Sequence, residues 1–193
     1  MMATIQQEDK VNLGAKKFIM WIFIFTSFML FAALTSGFIV YIGGSKAHGL
    51  NITLPISFRY STLVLIASSV TLFIASRSAK RLDFAKQTTM LWITIVLGVA
   101  FLILQVYGWY TMAYKMHIYL VDPNATRSFV YVMTLLHVLH IIGGLVWLIS
   151  ALSGSIKRIP QVKNLYRMEM TSIFWHFLDI IWIYLYVFLL LNQ

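Results

Sequence analysis

The sequence predicts an all-α integral membrane protein of five transmembrane helices, and three observations carry that prediction. Hydrophobic residues make up 60% of the chain and charged residues 11%, with a mean hydropathy of +0.82; a soluble domain has about a quarter charged residues. Five stretches reach the length of about 20 mostly apolar residues that a spanning helix needs. No series of short alternating segments suggests a β-barrel.

The first span is predicted over Phe18–Ile42. Lys16 and Lys17 precede it and Ala32 and Ala33 lie within it, as in a secretory signal. It is too long for a signal's short apolar core and is expected to be retained. The remaining spans are predicted over Phe58–Ser76, Thr88–Tyr110, Ser128–Leu152 and Thr171–Leu191. Residues 1–17 then form an N-terminal tail, and 18–193 a single domain with no room for a separate soluble one. Gly43-Gly44-Ser45 opens the connection that runs to Pro55, and Asp122-Pro123-Asn124 reads as a turn. Trp92, Tyr107, Trp109, Tyr110 and Tyr131 lie mostly near span ends, as an interfacial aromatic belt requires. No internal repeat is visible, so the inverted-repeat signature of many transporters is absent.

The net charge of +9 is an orientation signal. Lys10, Lys16 and Lys17 precede the first span; Arg77, Lys80, Arg81 and Lys86 join the second to the third; Lys157, Arg158, Lys163 and Arg167 join the fourth to the fifth. These 11 of the 15 basic residues share one side, against Lys46, Arg59, Lys115 and Arg127 on the other. The positive-inside rule places the N-terminus in the cytoplasm and the C-terminus in the periplasm. The basic excess is topogenic or lipid-facing, with no nucleic acid as partner. The absence of cysteine excludes disulfides, thiolate metal sites and a thiol nucleophile.

Ionisable residues inside a bilayer need a partner or a purpose. Here they cluster late in the chain, as His137 and His140 in the fourth span, beside the polar Thr134, and Glu169, His176 and Asp179 at and within the fifth. His137 and His140 are three apart and share a helix face; Glu169, His176 and Asp179 also fall on one face. At about 1.5 Å per residue, His140 and Asp179 both lie roughly 18 Å from the outer boundary, so a His140–Asp179 contact across the helix pair is expected. Three readings stay open at this point: interhelical polar contacts, a proton relay, and haem or metal ligation through residues such as His140 and His176. Gly143-Gly144 and Ser68-Ser69 are small enough to admit a close neighbouring helix.

At the fifth span the run Glu169 … Trp175-His176-Phe177-Leu178-Asp179 … Trp182 resembles the C-terminal signature of haem–copper oxidase subunit III. Thr134, His137, His140 and Gly143-Gly144 resemble the family's fourth-span pattern. Gly98 through Gln105 resembles its third span, Ser61-Thr62-Leu63 and Ser68-Ser69-Val70-Thr71 its second, and Met20-Trp21-Ile22-Phe23 the start of its first. The resemblance covers residues 18–191 and is most specific in the last third. It implies the five-helix bacterial form, a multi-pass protein of the bacterial inner membrane.

That resemblance implies a non-catalytic core subunit of a proton-pumping aerobic terminal oxidase, cytochrome c oxidase, in the respiratory chain. Such a subunit has no catalytic, cofactor-binding or metal-binding residue of its own; haems and copper reside in partner subunits. Oxidase subunits I and II, membrane lipids and a larger respiratory supercomplex are the implied partners, with structural phospholipid between the helices and support of proton uptake as the implied roles. His137, His140, Glu169, His176 and Asp179 become a buried polar, helix-packing cluster, and Gln105, Thr134, Trp175, Phe177 and Trp182 signature positions. The alternatives are a homologous quinol-oxidase subunit or a di-haem membrane cytochrome. Two departures stand out: Ser27 and Gly108 occupy places where the family pattern carries glutamate.

Overall fold

A computed structural model describes residues 2–44, 54–118, 125–158 and 160–192. The described residues form five long helices, each long and apolar enough to cross a membrane. They are α1 (Met2–Gly44), α2 (Ile56–Lys80), α3 (Phe84–Tyr110), α4 (Ala125–Ile156) and α5 (Gln161–Leu191), with a π-helical turn, Thr111–Lys115, extending α3. The expected turn at Asp122-Pro123-Asn124 and most of the connection from Ser45 toward Pro55 lie outside the described residues.

All five helices outrun the sequence-predicted spans. α1 is helical from Met2, through the segment expected as a tail. α5 begins at Gln161, ten residues before the predicted start. Pro160 sets that start: its carbonyl accepts from the backbone N–H of Lys163 (2.9 Å) and Asn164 (3.0 Å), and its fixed φ suits a helix entry. The added turns are polar, and most of their amide groups are bonded inside the bundle. Gln87 and Asn164 exchange amide hydrogen bonds at 3.1 and 3.2 Å, fully buried, and Gln161 Nε2 donates to the Ala79 carbonyl at 2.8 Å.

The link between α2 and α3 is two capping motifs in succession. Asp83 N–H bonds to the Ser78 carbonyl and Leu82 N–H to the Ala79 carbonyl, the paired bonds of a Schellman end. Leu82 takes the left-handed position of that end, with φ 61°. Asp83 then caps α3 by accepting from Lys86 N–H at 3.1 Å.

α2, α3, α4 and α5 form a ring in which each helix packs on two neighbours, and α1 lies outside it against α4 and α5. Among the described residues α1 and α2 do not touch. Helix pairs keep one register throughout. On α3 and α4 the contacts Thr88–Ser155, Gly98–Leu145 and Trp109–Thr134 climb one helix and descend the other in equal steps. On the parallel pair α3 and α5, Gln87–Asn164 and Gly98–Trp175 advance together.

Close packing, not hydrophobic exclusion, holds helices together in lipid, and the interior shows how. Trp175 is fully buried and presses on two glycines: a Cβ on Gly98 would sit 2.9 Å from its Cη2, and one on Gly144 3.0 Å from its Cε3. One packing cluster surrounds Trp175 and reaches Met20 and Met168 toward the N-terminal end of the bundle. A second, around Phe31, Phe58 and Leu185, fills the other end, and Phe177 packs on both. The outward faces carry Phe25, Leu63, Ile103, Val146 and Ile180, all exposed as lipid-facing residues are.

Candidate functional site

The sequence-predicted polar residues fall into three separate settings. The first is an aromatic chamber inside the bundle. His137 is fully buried, its ring 5.1 Å from that of Trp182, with Phe101 and Phe31 edge-on at 5.8 and 6.3 Å. Neither ring nitrogen has a hydrogen-bond partner among the described residues. Aromatic faces and edges surround it, so the ring is held by packing.

The second setting lies between α1 and α4. His140, one turn on from His137, shares Phe31 with it, at 5.4 Å, so the predicted common face of the two histidines is formed. His140 Nδ1 lies 2.7 Å from the Leu136 carbonyl and Nε2 3.2 Å from Ser27 Oγ. The His140–Asp179 contact expected from matched depth is not made. Equal depth does not fix direction: His140 turns to α1, while Asp179 lies on the α2 side of α5.

There the third setting is found. His176 Nδ1 is 2.7 Å from Ser69 Oγ on α2 and 3.5 Å from Asp179 Oδ2. Glu169 belongs to none of these groups. Its side chain is 51% exposed and pairs with Lys17 of α1, so the expected single buried cluster of five is not what the structure shows. α5 lies between α1 and α2, and its outward stripe sends Glu169 one way and His176 the other. The facing histidines that a bis-histidine haem requires are likewise not formed, since His140 addresses α1 and His176 addresses α2. Among the described residues no group of three His, Asp or Glu converges as metal ligands would.

The remaining signature positions build the helix contacts. Trp175 Nε1 donates to Ser68 Oγ and Trp182 Nε1 to Thr62 Oγ1, both at 3.0 Å. Gln105, fully buried, donates to Ser61 Oγ at 3.0 Å, and Thr134 Oγ1 accepts from Trp109 Nε1 at 3.0 Å. α2 thus supplies a hydroxyl ladder that receives the indoles of α5. Trp109 and Tyr131 leave the expected aromatic belt: Trp109 bonds inward, and the buried Tyr131 hydroxyl donates to the Ile118 carbonyl at 2.7 Å. The Gln87–Asn164 pair escaped the sequence reading; two lone amides at similar distances from their helix starts were its only signal.

A further feature is a groove where α1 meets α4 and α5. Near the N-terminal end a cavity of about 620 Å³ is lined by Lys16, Met20, Phe23, Trp147, Arg167 and Met170, among others. A second cavity, of about 490 Å³, shares Phe23 and Trp147 with it and extends to His140 and Gly143. Gly143 meets nothing a Cβ would touch, so of the two adjacent glycines only Gly144 seats a neighbour.

Signature residues that form one packing system along the whole bundle point to a family fold, and comparison agrees. The family profile described as "Cytochrome c oxidase subunit III" matches residues 3–192. The chain belongs to this family. It is 29% identical over 178 residues to cytochrome c oxidase subunit 3 of Bacillus sp. (strain PS3), covering 90% of this chain and 84% of that one. It is 30% identical over 192 residues to cytochrome bo(3) ubiquinol oxidase subunit 3 of Buchnera aphidicola, covering 95% and 90%. The counterpart from Bacillus subtilis (strain 168) is 27% identical over 185 residues. With five spanning helices and relatives of this kind, the protein is a multi-pass protein of the bacterial inner membrane.

Proposed function

We propose that the chain is the non-catalytic subunit III of a proton-pumping bacterial terminal oxidase that takes electrons from cytochrome c and reduces O₂ to water. The observation that carries this reading is the family match over residues 3–192 together with the signature residues serving as packing and hydrogen-bonding partners. Subunits I and II hold the haems and copper; this chain packs on them, within a larger respiratory assembly. The excess of basic residues at the N-terminal end of the bundle orients that end to the cytoplasm and the C-terminus to the periplasm.

The groove against α1 is a phospholipid site. Lys16 and Arg167 stand at its mouth to meet an anionic headgroup, and Met20, Phe23 and Trp147 line the deeper part where acyl chains lie. Support of proton uptake is structural, because Ser27 and Gly108 replace the carboxylates of the family pattern. Purification in mild detergent tests the whole reading. A haem-bearing subunit should accompany the chain, phospholipid should co-purify, and the separated chain should be colourless. A Soret band in the separated chain would sink the proposal in favour of a di-haem cytochrome.

A quinol-oxidising complex is the second reading, favoured by the 30% identity to the Buchnera ubiquinol oxidase subunit. A partner subunit with a dinuclear copper centre selects cytochrome c as donor. Turnover with quinol and no such centre selects the second.

A further inference from the structure

α1 is held differently along its two halves. Beyond Ser27 the outer half is close-packed: Phe31 and Phe38 are fully buried, Phe38 meets Phe129 and Phe188 at 5.9 and 5.3 Å, and Thr35 Oγ1 lies 2.8 Å from the Tyr184 hydroxyl. Of the described residues 13–26, only Met20 and Ile24 are buried. Phe23 adds ring contacts to Phe174 and His140 at 5.7 and 5.9 Å, and Lys16, Ile19, Met20 and Phe23 border the groove cavities. Near the start of this half Lys17 pairs with Glu169, the side chains 40% and 51% exposed. The halves join at Thr26-Ser27, where both hydroxyls take carbonyls of the preceding turn. Thr26 Oγ1 donates to Ile22 and Phe23 at 3.1 and 3.0 Å, and Ser27 Oγ to Phe23 at 2.7 Å. Such back-bonding destabilises and bends a helix. Thr35 repeats it, but there Phe31 and Phe38 pack on either side.

Close packing holds helices together in lipid, and the inner half of α1 has little of it. Beyond Met20, Phe23 and Ile24, its position rests on the Lys17–Glu169 pair, an exposed contact that is weak on its own. We propose that residues 13–26 of α1 form a gate on the groove, hinged at Thr26-Ser27 and latched by Lys17–Glu169, whose outward swing admits and releases the bound lipid. The inference rests on the reading of the groove as a phospholipid site and adds how that site is entered. The latch stands beside the groove mouth, since Lys17 adjoins Lys16 and Glu169 lies between Arg167 and Met170 in the chain. Arg167 stays with the bundle, because its guanidinium donates to the Ser150 carbonyl of α4 at 3.3 Å. An anionic headgroup at Lys16 and Arg167 attracts Lys17 and repels Glu169, so an arriving lipid loosens the latch.

The test is lipid exchange in the intact complex. The complex is loaded with chain-deuterated phosphatidylglycerol and mixed with vesicles of unlabelled phosphatidylethanolamine and phosphatidylglycerol. The label it retains is followed by mass spectrometry. Replacing the latch with a neutral pair, Lys17→Gln with Glu169→Gln, should speed exchange about 1.5-fold to fivefold, the weight of an exposed ion pair. The swapped pair, Lys17→Glu with Glu169→Lys, should restore the original rate. The chain has no cysteine, so Lys17→Cys and Glu169→Cys can be joined by a short bifunctional thiosulfonate. Exchange should then stop, and resume on reduction, with the cysteine-free chain treated alike as the blank. Equal exchange in the bridged and reduced forms, or in the neutral and original pairs, overturns the gate. A complex that holds no phospholipid overturns the reading of the groove instead. The motion itself is read from spin-label distances, without reference to lipid. The distance from Gly14→Cys to Val162→Cys should broaden in the neutral-pair chain, while that from Val40→Cys to Leu190→Cys at the outer end should not. An inner distance unchanged by loss of the latch overturns the gate whatever the groove holds.

Discussion

Gly108→Ala is the smallest change that tests how the bundle is packed. An added Cβ would lie 2.6 Å from Phe58 Cε1, 3.2 Å from Phe58 Cδ1 and 3.0 Å from Ser57 Oγ. Phe58 has little room to retreat. It is fully buried and stands edge-on to Trp182 at 5.9 Å. Trp182 is fixed in turn by Thr62 and by the His137 ring. The methyl group must therefore displace Phe58 or part α2 from α3. Overpacking of this kind costs about 1–3 kcal/mol. At about 2–4 °C per kcal/mol for a chain of this size, the apparent Tm should fall by roughly 2–12 °C. Gly108→Glu should fall further, since it adds a whole side chain at the same point.

The assay is thermal unfolding in mild detergent, followed by tryptophan fluorescence, for Gly108→Ala, Phe58→Leu and the pair. Phe58→Leu removes the ring atoms that the new Cβ meets, so the double variant should be more stable than the sum of the single losses implies. Coupling between touching residues runs at about 0.5–3 kcal/mol. A Gly108→Ala chain as stable as the original, or strict additivity with Phe58→Leu, would refute the packing argument.

Four further outcomes follow from other contacts. Trp175→Phe loses both the bond to Ser68 and the outer indole ring that presses on Gly98 and Gly144, so it should cost more than Ser68→Ala; a double-mutant cycle between the two in a denaturant titration should isolate a hydrogen-bond coupling of about 0.6–1.7 kcal/mol. Gln87→Ala leaves Asn164 buried and unpaired, a loss of about 1–3 kcal/mol, whereas the Gln87→Leu, Asn164→Leu pair should regain most of it in the same titration. Leu82→Gly relieves the left-handed backbone between α2 and α3 and should stabilise by up to about 1 kcal/mol, read as a raised Tm. Lys17→Ala breaks only an exposed ion pair and should cost less than about 1 kcal/mol, with the difference fading as salt is added to the thermal assay.

The five helices were legible because lipid leaves the chain little choice: an apolar run of spanning length must close its own backbone hydrogen bonds. Their ends were less so. Hydropathy reads Gln161 and Asn164 as outside the membrane segment, but it cannot see that Ala79 and Gln87 offer them hydrogen bonds inside the bundle. Residue spacing put His137 and His140 on a common face, and Phe31 confirms it. Spacing could not say which helix that face meets. Matched depth admitted Asp179 as the partner of His140 as readily as Ser27, and only the placement of α1 decides between them. The resemblance marked Trp175 and Trp182 as signature residues. The glycines and hydroxyls that receive them come from α2, α3 and α4, a convergence that no single stretch of sequence contains.

Ser27 shows how the departures fit the rest. Its hydroxyl has one proton and two neighbours, the Phe23 carbonyl at 2.7 Å and His140 Nε2 at 3.2 Å. His140 Nδ1, 2.7 Å from the Leu136 carbonyl, must carry a proton to bond there. The Ser27 proton goes to the Phe23 carbonyl, the shorter of the two contacts, and His140 Nε2 meets the same hydroxyl oxygen. A carboxylate at the same point would bring a negative charge into the bundle; serine makes the link with no charge of its own. The consequence reaches the surface, because His140 lines the inner part of the α1 groove. With serine at position 27 the groove wall holds no acid, while Glu169 is drawn to Lys17 and Asp179 sits on the α2–α5 side. The two faces of α5 are thereby made chemically unlike: toward α1 lies an apolar groove with Lys16 and Arg167 among its lining, and toward α2 a His176–Asp179 pair rests against Ser69 at mid-depth.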